Sequence, residues 1–144
     1  MTVASIAETL GAPRTIKAKI SSQAQLREAT RFGLPAEVVT SLASQLGMQR
    51  AQVTRVLGIP ERTLSRRISS NGRLTAQESD RAVRLARVLA QAKGTFGSLE
   101  KARTWLQTSN RALRGEQPFE LLDTDAGVQS VETVLGRIDY GIYS

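Results

Sequence analysis

An all-α fold is predicted by three features of this 144-residue sequence. Apolar residues recur at spacings of three and four along nearly its whole length, strand-like alternation is scarce, and no Asn-Gly or Asp-Gly pair sits between alternating strands. Val3, Ile6, Ala7 and Leu10 form one short amphipathic face that stops at Gly11, with Pro13 just beyond. Residues 11–20 read as a linker. Ser22 is placed to cap a helix carrying Leu26, Ala29 and Phe32, which Gly33 ends; Pro35 then starts a helix with Val38, Val39, Leu42 and Leu46 before Gly47. Two short helices follow within residues 50–69. After the Ser69-Ser70-Asn71-Gly72 turn, Thr75 and Glu78 have capping-box spacing and open a long helix through Val83, Leu85, Ala86, Val88 and Leu89 to Gly94. Ser98 opens a helix with Ala102, Trp105 and Leu106. A turn-rich stretch from Asn110 to Pro118 and a short helix at 118–122 lead to a final helix from about Thr124 to Ile138, whose Val128, Val131, Leu135 and Ile138 form one apolar stripe.

Composition narrows the chemistry. The chain has no histidine and no cysteine, so the commonest general base, the thiolate nucleophile and the usual ligands of a structural zinc or iron–sulfur site are missing. No metal or cofactor is implied, and no disulfide can form. Glu78 with Asp80, or Asp123 with Asp125, offer paired carboxylates, but both pairs lie at helix starts, where acidic residues favour the helix dipole without any catalysis. No Gly-rich phosphate loop is present either. An enzyme is therefore not expected. Residues 1–10 lack a basic segment ahead of an apolar run, and no apolar run approaches the ~20 residues that cross a bilayer; a soluble, cytoplasmic protein is expected.

The charge is uneven. Net charge is +7, yet between Arg50 and Arg87 nine arginines stand against Glu61, Glu78 and Asp80, leaving +6. Beyond Gly115 only Arg137 is basic, against Glu116, Glu120, Asp123, Asp125, Glu132 and Asp139, leaving −5. A basic centre suits a polyanion such as DNA; an acidic end would be repelled by one and suits a basic protein surface. Uneven solvated charge alone would look the same.

The sharpest local signal lies in residues 50–70. Val53, Val56 and Leu57 give a short helix its buried face, Gly58 supplies a turn, and Leu64 and Ile68 bury a second helix beginning near Pro60. This is the pattern of a helix-turn-helix, with the second helix as the recognition candidate. With Leu64 and Ile68 inward, that helix must present Arg62, Ser65, Arg66 and Ser69, flanked by Thr63 and Arg67. Arginine pairs with guanine edges and hydroxyls suit phosphate oxygens. Arg50, Gln52 and Arg55 on the first helix would lie near phosphates. Thr54 departs from the pattern, because a small Ala or Gly usually lets the two helices approach there. Two short helices around a glycine also occur in domains that never touch DNA, so pattern, length and local charge carry this expectation together.

The run Arg62-Thr63-Leu64-Ser65-Arg66-Arg67, followed by Gly72-Arg73-Leu74-Thr75 and Glu78-Ser79-Asp80-Arg81, resembles the middle of the Xre/MbcA/ParS antitoxin family. Trp105-Leu106, Asn110, Ala112-Leu113, Gly115, Pro118, Leu121-Leu122, Gly127, Val131, Leu135, Ile138 and Gly141 are similar to that family's C-terminal toxin-binding domain in order and approximate spacing. The resemblance covers the chain from about residue 36 onward. With it the chain divides into a helix-turn-helix domain at 35–74 and a helical toxin-binding domain at 75–144, preceded by an N-terminal helical extension at 1–34 that the resemblance does not reach. The resemblance also implies a partner toxin of the RES type, which binds and consumes NAD, inhibition by covering that toxin's active site, and repression of the chain's own operon through operator DNA.

Most of the matching apolar residues are expected in the core, with the glycines serving turns or close packing. Direct toxin contact is expected from the last helix and tail: Asp125, Gln129, Glu132, Arg137, Asp139, Tyr140, Tyr143 and Ser144. An NAD pocket must be basic where it holds the pyrophosphate, so a carboxylate from Glu132, Asp139 or the Ser144 terminus would suit it. The rival expectation is a free-standing phage-type repressor whose C-terminal half only dimerises it. A homodimer is expected under either, since two half-sites ~34 Å apart offset the low affinity of one short recognition helix.

Overall fold

The computed structural model describes residues 2–141, and among them every regular element is helical. Thr2 caps α1 (Val3–Thr9), Ser22 caps α2 (Gln23–Phe32), and Gly33 ends the latter. The segment between them is not a free linker, because Ile16 and Ile20 are buried. α3 (Val38–Leu46) begins three residues later than Pro35 suggested. Pro35 is held in a bridge with Arg73 and the Ala36 N–H donates to the Gly72 carbonyl, while Ala36 and Glu37 form a turn that leads into the helix. α4 (Arg50–Leu57) closes at Gly58 in the left-handed conformation, and α5 (Glu61–Ser69) follows after Ile59 and Pro60.

α6 (Ala76–Phe96) is the axis of the molecule. Its N-terminus is the expected capping box: the Thr75 hydroxyl accepts from the Glu78 N–H, and the Glu78 carboxylate accepts from the Thr75 N–H. At 21 residues it spans about 30 Å. It runs through Gly94, which meets nothing nearby, and stops at Gly97, whose left-handed φ of 83° ends the helix. Ala82, Ala86 and Ala92 are fully buried on it, and these small side chains let α1, α2, α3, α4, α7 and α8 all pack against one rod. α7 (Leu99–Leu106) is capped by Ser98. Two 3₁₀ segments, Arg111–Leu113 and Pro118–Asp123, lead to α8 (Asp125–Asp139), capped by Thr124.

One hydrophobic core runs from Ile6 to Leu135. The N-terminal extension, the helix-turn-helix pair and the C-terminal helices therefore share a single interior. Ser79 is completely buried, and its hydroxyl accepts from the Leu34 N–H at 2.8 Å, so α6 supplies the partner that the turn after α2 lacks.

Candidate functional site

The helix-turn-helix forms as the apolar spacing predicts. Val53, Leu57 and Leu64 are at most 1% exposed, and Ile68 packs at the edge of the core. Thr54, the departure from the pattern, is also buried. Its single hydroxyl proton is shared between the Ala51 carbonyl at 3.0 Å and a Glu61 carboxylate oxygen at 3.1 Å, so its polar atom is satisfied between α4 and α5. The other Glu61 oxygen accepts from Arg50 Nε at 3.0 Å, and Arg50 Nη2 donates to Ser65 Oγ at 2.9 Å. Arg50, Thr54, Glu61 and Ser65 thus make one polar network that fixes the two helices relative to each other.

The nine arginines from Arg50 to Arg87 divide sharply. Arg50 pairs with Glu61, Arg55 with Glu120, Arg67 with Glu78, Arg84 with Asp80 and Asp125, and Arg87 with Glu132. Arg81 donates to the Leu57 carbonyl at the end of α4, and Arg73 to the Gly33 carbonyl at the end of α2 while its guanidinium lies over the Phe32 ring. Each of these two supplies a donor to backbone acceptors that a helix end leaves unpaired. Only Arg62 and Arg66 have no intramolecular partner among the described residues. They are exposed and four residues apart, so they stand on one face of α5, with Ser69 one turn further. No side chain caps the N-terminus of α5, so its first N–H groups, next to Arg62, have no side-chain acceptor at the cap. Thr63 is half-buried beside them.

The other expected DNA contacts already have structural work. Gln52 closes a capping box with Gln49 at the start of α4, Ser65 accepts from Arg50, and Arg67 is bound to Glu78. Burial pushes the Glu78 carboxyl up, but the Thr75 N–H and the Arg67 guanidinium outweigh it and hold the group below the ordinary glutamate range. Hydrogen bonds from Arg55 and its charge likewise hold Glu120 down, and Glu120 in turn raises Arg55.

On α8 the expected toxin contacts fall on two faces. Asp125, Glu132 and Asp139 are seven residues apart in turn and share one stripe. Asp125 accepts from Arg84 and from Gln129, and Glu132 accepts from Arg87 at 2.8 and 3.3 Å; these contacts clamp α8 to α6. Asp139 is exposed and has no partner among the described residues. Gln129, Arg137 and Tyr140 belong to a second, solvent-facing stripe together with Ala126, Ser130 and Thr133, and Tyr140 is 85% exposed. Beside it a shallow groove of about 520 Å³ runs between α8 and the 112–116 turn, where Arg114 adopts a left-handed φ of 59°. Ser130, Thr133 and Arg114 also line this surface, and no sequence pattern marks them, since short hydroxyls and a lone arginine in a turn carry none. Tyr143 and Ser144 lie outside the described residues.

Comparison with known proteins adds to this geometry. Residues 25–87 match the antitoxin Xre-like helix-turn-helix domain, and residues 91–141 match the antitoxin Xre/MbcA/ParS C-terminal toxin-binding domain. The two matches meet inside α6. A protein named antitoxin Xre from Yersinia enterocolitica is 34% identical over 120 residues, which is 83% of this chain and 81% of that protein. Another of the same name from Photorhabdus laumondii is 35% identical over 132 residues, 91% of this chain and 89% of that protein. A chain in the crystal structure of the M. tuberculosis MbcT-MbcA toxin-antitoxin complex shares the fold, with a TM-score of 0.57 at 22% identity over 76% of this chain and 96% of that one.

Proposed function

The chain belongs to the Xre antitoxin family, and from that premise we propose that it neutralises a RES-type, NAD-consuming toxin encoded beside it and represses its own operon by binding operator DNA. The observation that carries the proposal is the division of surfaces. α5 leaves Arg62 and Arg66 unpartnered on one side, while the exposed stripe of α8 and its adjoining groove lie within the matched toxin-binding domain.

In this reading Arg62 and Arg66 read base edges or phosphates, the open N-terminus of α5 takes a phosphate, and Arg50, Ser65 and Arg67 hold the helix in place. The toxin rests on Gln129, Ser130, Thr133, Arg137 and Tyr140 of α8. Of the two side-chain carboxylates suited to a basic nucleotide pocket, Glu132 is occupied by Arg87, which leaves Asp139 to enter it. Two copies of the chain would supply the paired half-sites of an operator.

Co-expression with the neighbouring gene tests both faces. The reading expects a stable complex on size exclusion. The R62A/R66A variant should keep the complex but lose binding to the upstream intergenic duplex, whereas T133R/R137E should keep DNA binding and lose the complex. A complex that survives T133R/R137E unchanged, or DNA binding indifferent to R62A/R66A, would overturn the corresponding half.

A further inference from the structure

The bidentate contact between Arg55 and Glu120 joins α4, part of the DNA-binding pair, to the 3₁₀ segment that opens the toxin-binding half. Arg55 Nη1 and Nη2 donate to the two Glu120 oxygens at 2.9 and 3.0 Å across 65 residues of sequence. Glu120 is held at that spot by its neighbours, because Pro118, Phe119 and Leu122 are all buried and anchor the segment against the core. Arg55 lies on the exposed stripe of α4 with Ala51 and Gln52, the side that would face a phosphate backbone. Both partners remain partly open to solvent, at 59% and 41% side-chain exposure, so a competing anion can reach the guanidinium.

A carboxylate that takes both guanidinium nitrogens has the fork geometry of a phosphate contact. We propose that Glu120 acts as an internal phosphate mimic that competes with DNA for Arg55 and so weakens DNA binding from within the toxin-binding half. The inference rests on the DNA-binding reading above and deepens it by naming a regulator of that same face. Glu120 fills the fork of Nη1 and Nη2, so a phosphate seeking the same bidentate contact competes with it. DNA that recruits Arg55 must first displace Glu120, and a Glu120 left beside the duplex repels it. By linkage, anything that draws Glu120 away strengthens DNA binding by the same factor with which DNA frees Glu120.

The test uses the full chain and the intergenic duplex upstream of its gene, titrated by mobility shift at graded salt. E120Q should tighten binding about two- to fivefold, the span an exposed ion pair commands, and make the salt dependence steeper. The gain must vanish when E120Q is combined with R55Q. If E120Q tightens binding equally in both backgrounds, a general loss of negative charge explains it and the competition for Arg55 is overturned. No change, or weaker binding, in E120Q alone overturns it as well. R62A/R66A is the companion measurement: if wild type binds and R62A/R66A does not, the DNA reading stands whatever E120Q does. Absence of binding by wild type and E120Q alike removes both. A thermal melt of E120Q checks the fold, and a small shift is expected because Glu120 is exposed.

Discussion

Arg67 and Arg62 differ by five residues on one helix, yet burial assigns them opposite tasks. Arg67 and its partner Glu78 are 25% and 14% exposed, and Glu78 also closes the α6 cap, so this pair holds the turn after α5 against the central helix. Arg62 is exposed and has no partner among the described residues. The distinction has a pH signature. The Glu78 carboxyl sits below its ordinary range in the folded chain, so the unfolded chain binds the proton more readily. Its contribution is therefore fully present above the unfolded value, near pH ~4.3, and is lost as pH falls through the depressed folded value. Chemical denaturation across this window should show wild-type stability declining more steeply on acidification than that of E78Q, with the two curves converging at the acid end. Parallel curves would mean that Glu78 gains nothing from its charge. Glu120 is depressed in the same direction, but its exposure screens it and makes its share smaller.

At the level of elements, close approach of backbones decides where α8 can begin. A Cβ on Gly127 would lie 1.7 Å from the Leu121 carbonyl oxygen, inside the contact between the first turn of α8 and the 3₁₀ segment before it. G127A should cost about 2–4 kcal/mol in urea denaturation by forcing those two backbones apart; a loss under ~0.5 kcal/mol, the scale of an ordinary surface change, would contradict this packing. Helix starts were legible in the sequence because Ser22, Thr75 with Glu78, and Ser98 cap through atoms only a few residues away. Interactions that cross the fold were not. Arg103 donates to the Gln45 and Ser44 carbonyls at the end of α3, as Arg81 does at the end of α4, and no local spacing announces such partners. The late start of α3 has the same origin, since Pro35 is bridged to Arg73, far along the chain. For that reason the count of arginines does not measure free positive charge: most of the basic centre neutralises carboxylates or serves helix ends.

For the whole molecule, the uneven charge marks a basic centre and an acidic C-terminal third, and the family matches assign these to a helix-turn-helix domain and a toxin-binding domain. What the fold adds is that the ends are not independent. α6 carries both, one core runs beneath them, and Arg55 with Glu120, Arg84 with Asp125 and Arg87 with Glu132 tie acidic side chains of the C-terminal third to the basic centre. Much of the charge asymmetry is thus satisfied internally, while Arg62 and Arg66 on α5 and the polar stripe on α8 stay exposed. The central claim is that this chain silences an NAD-consuming toxin, and cellular NAD is its most direct readout. Induction of the neighbouring gene alone should deplete NAD and arrest growth; co-expression of this chain, or of its R62A/R66A variant, should restore both, whereas T133R/R137E should not. Undiminished NAD on induction, or depletion that the wild-type chain fails to reverse, would contradict the account.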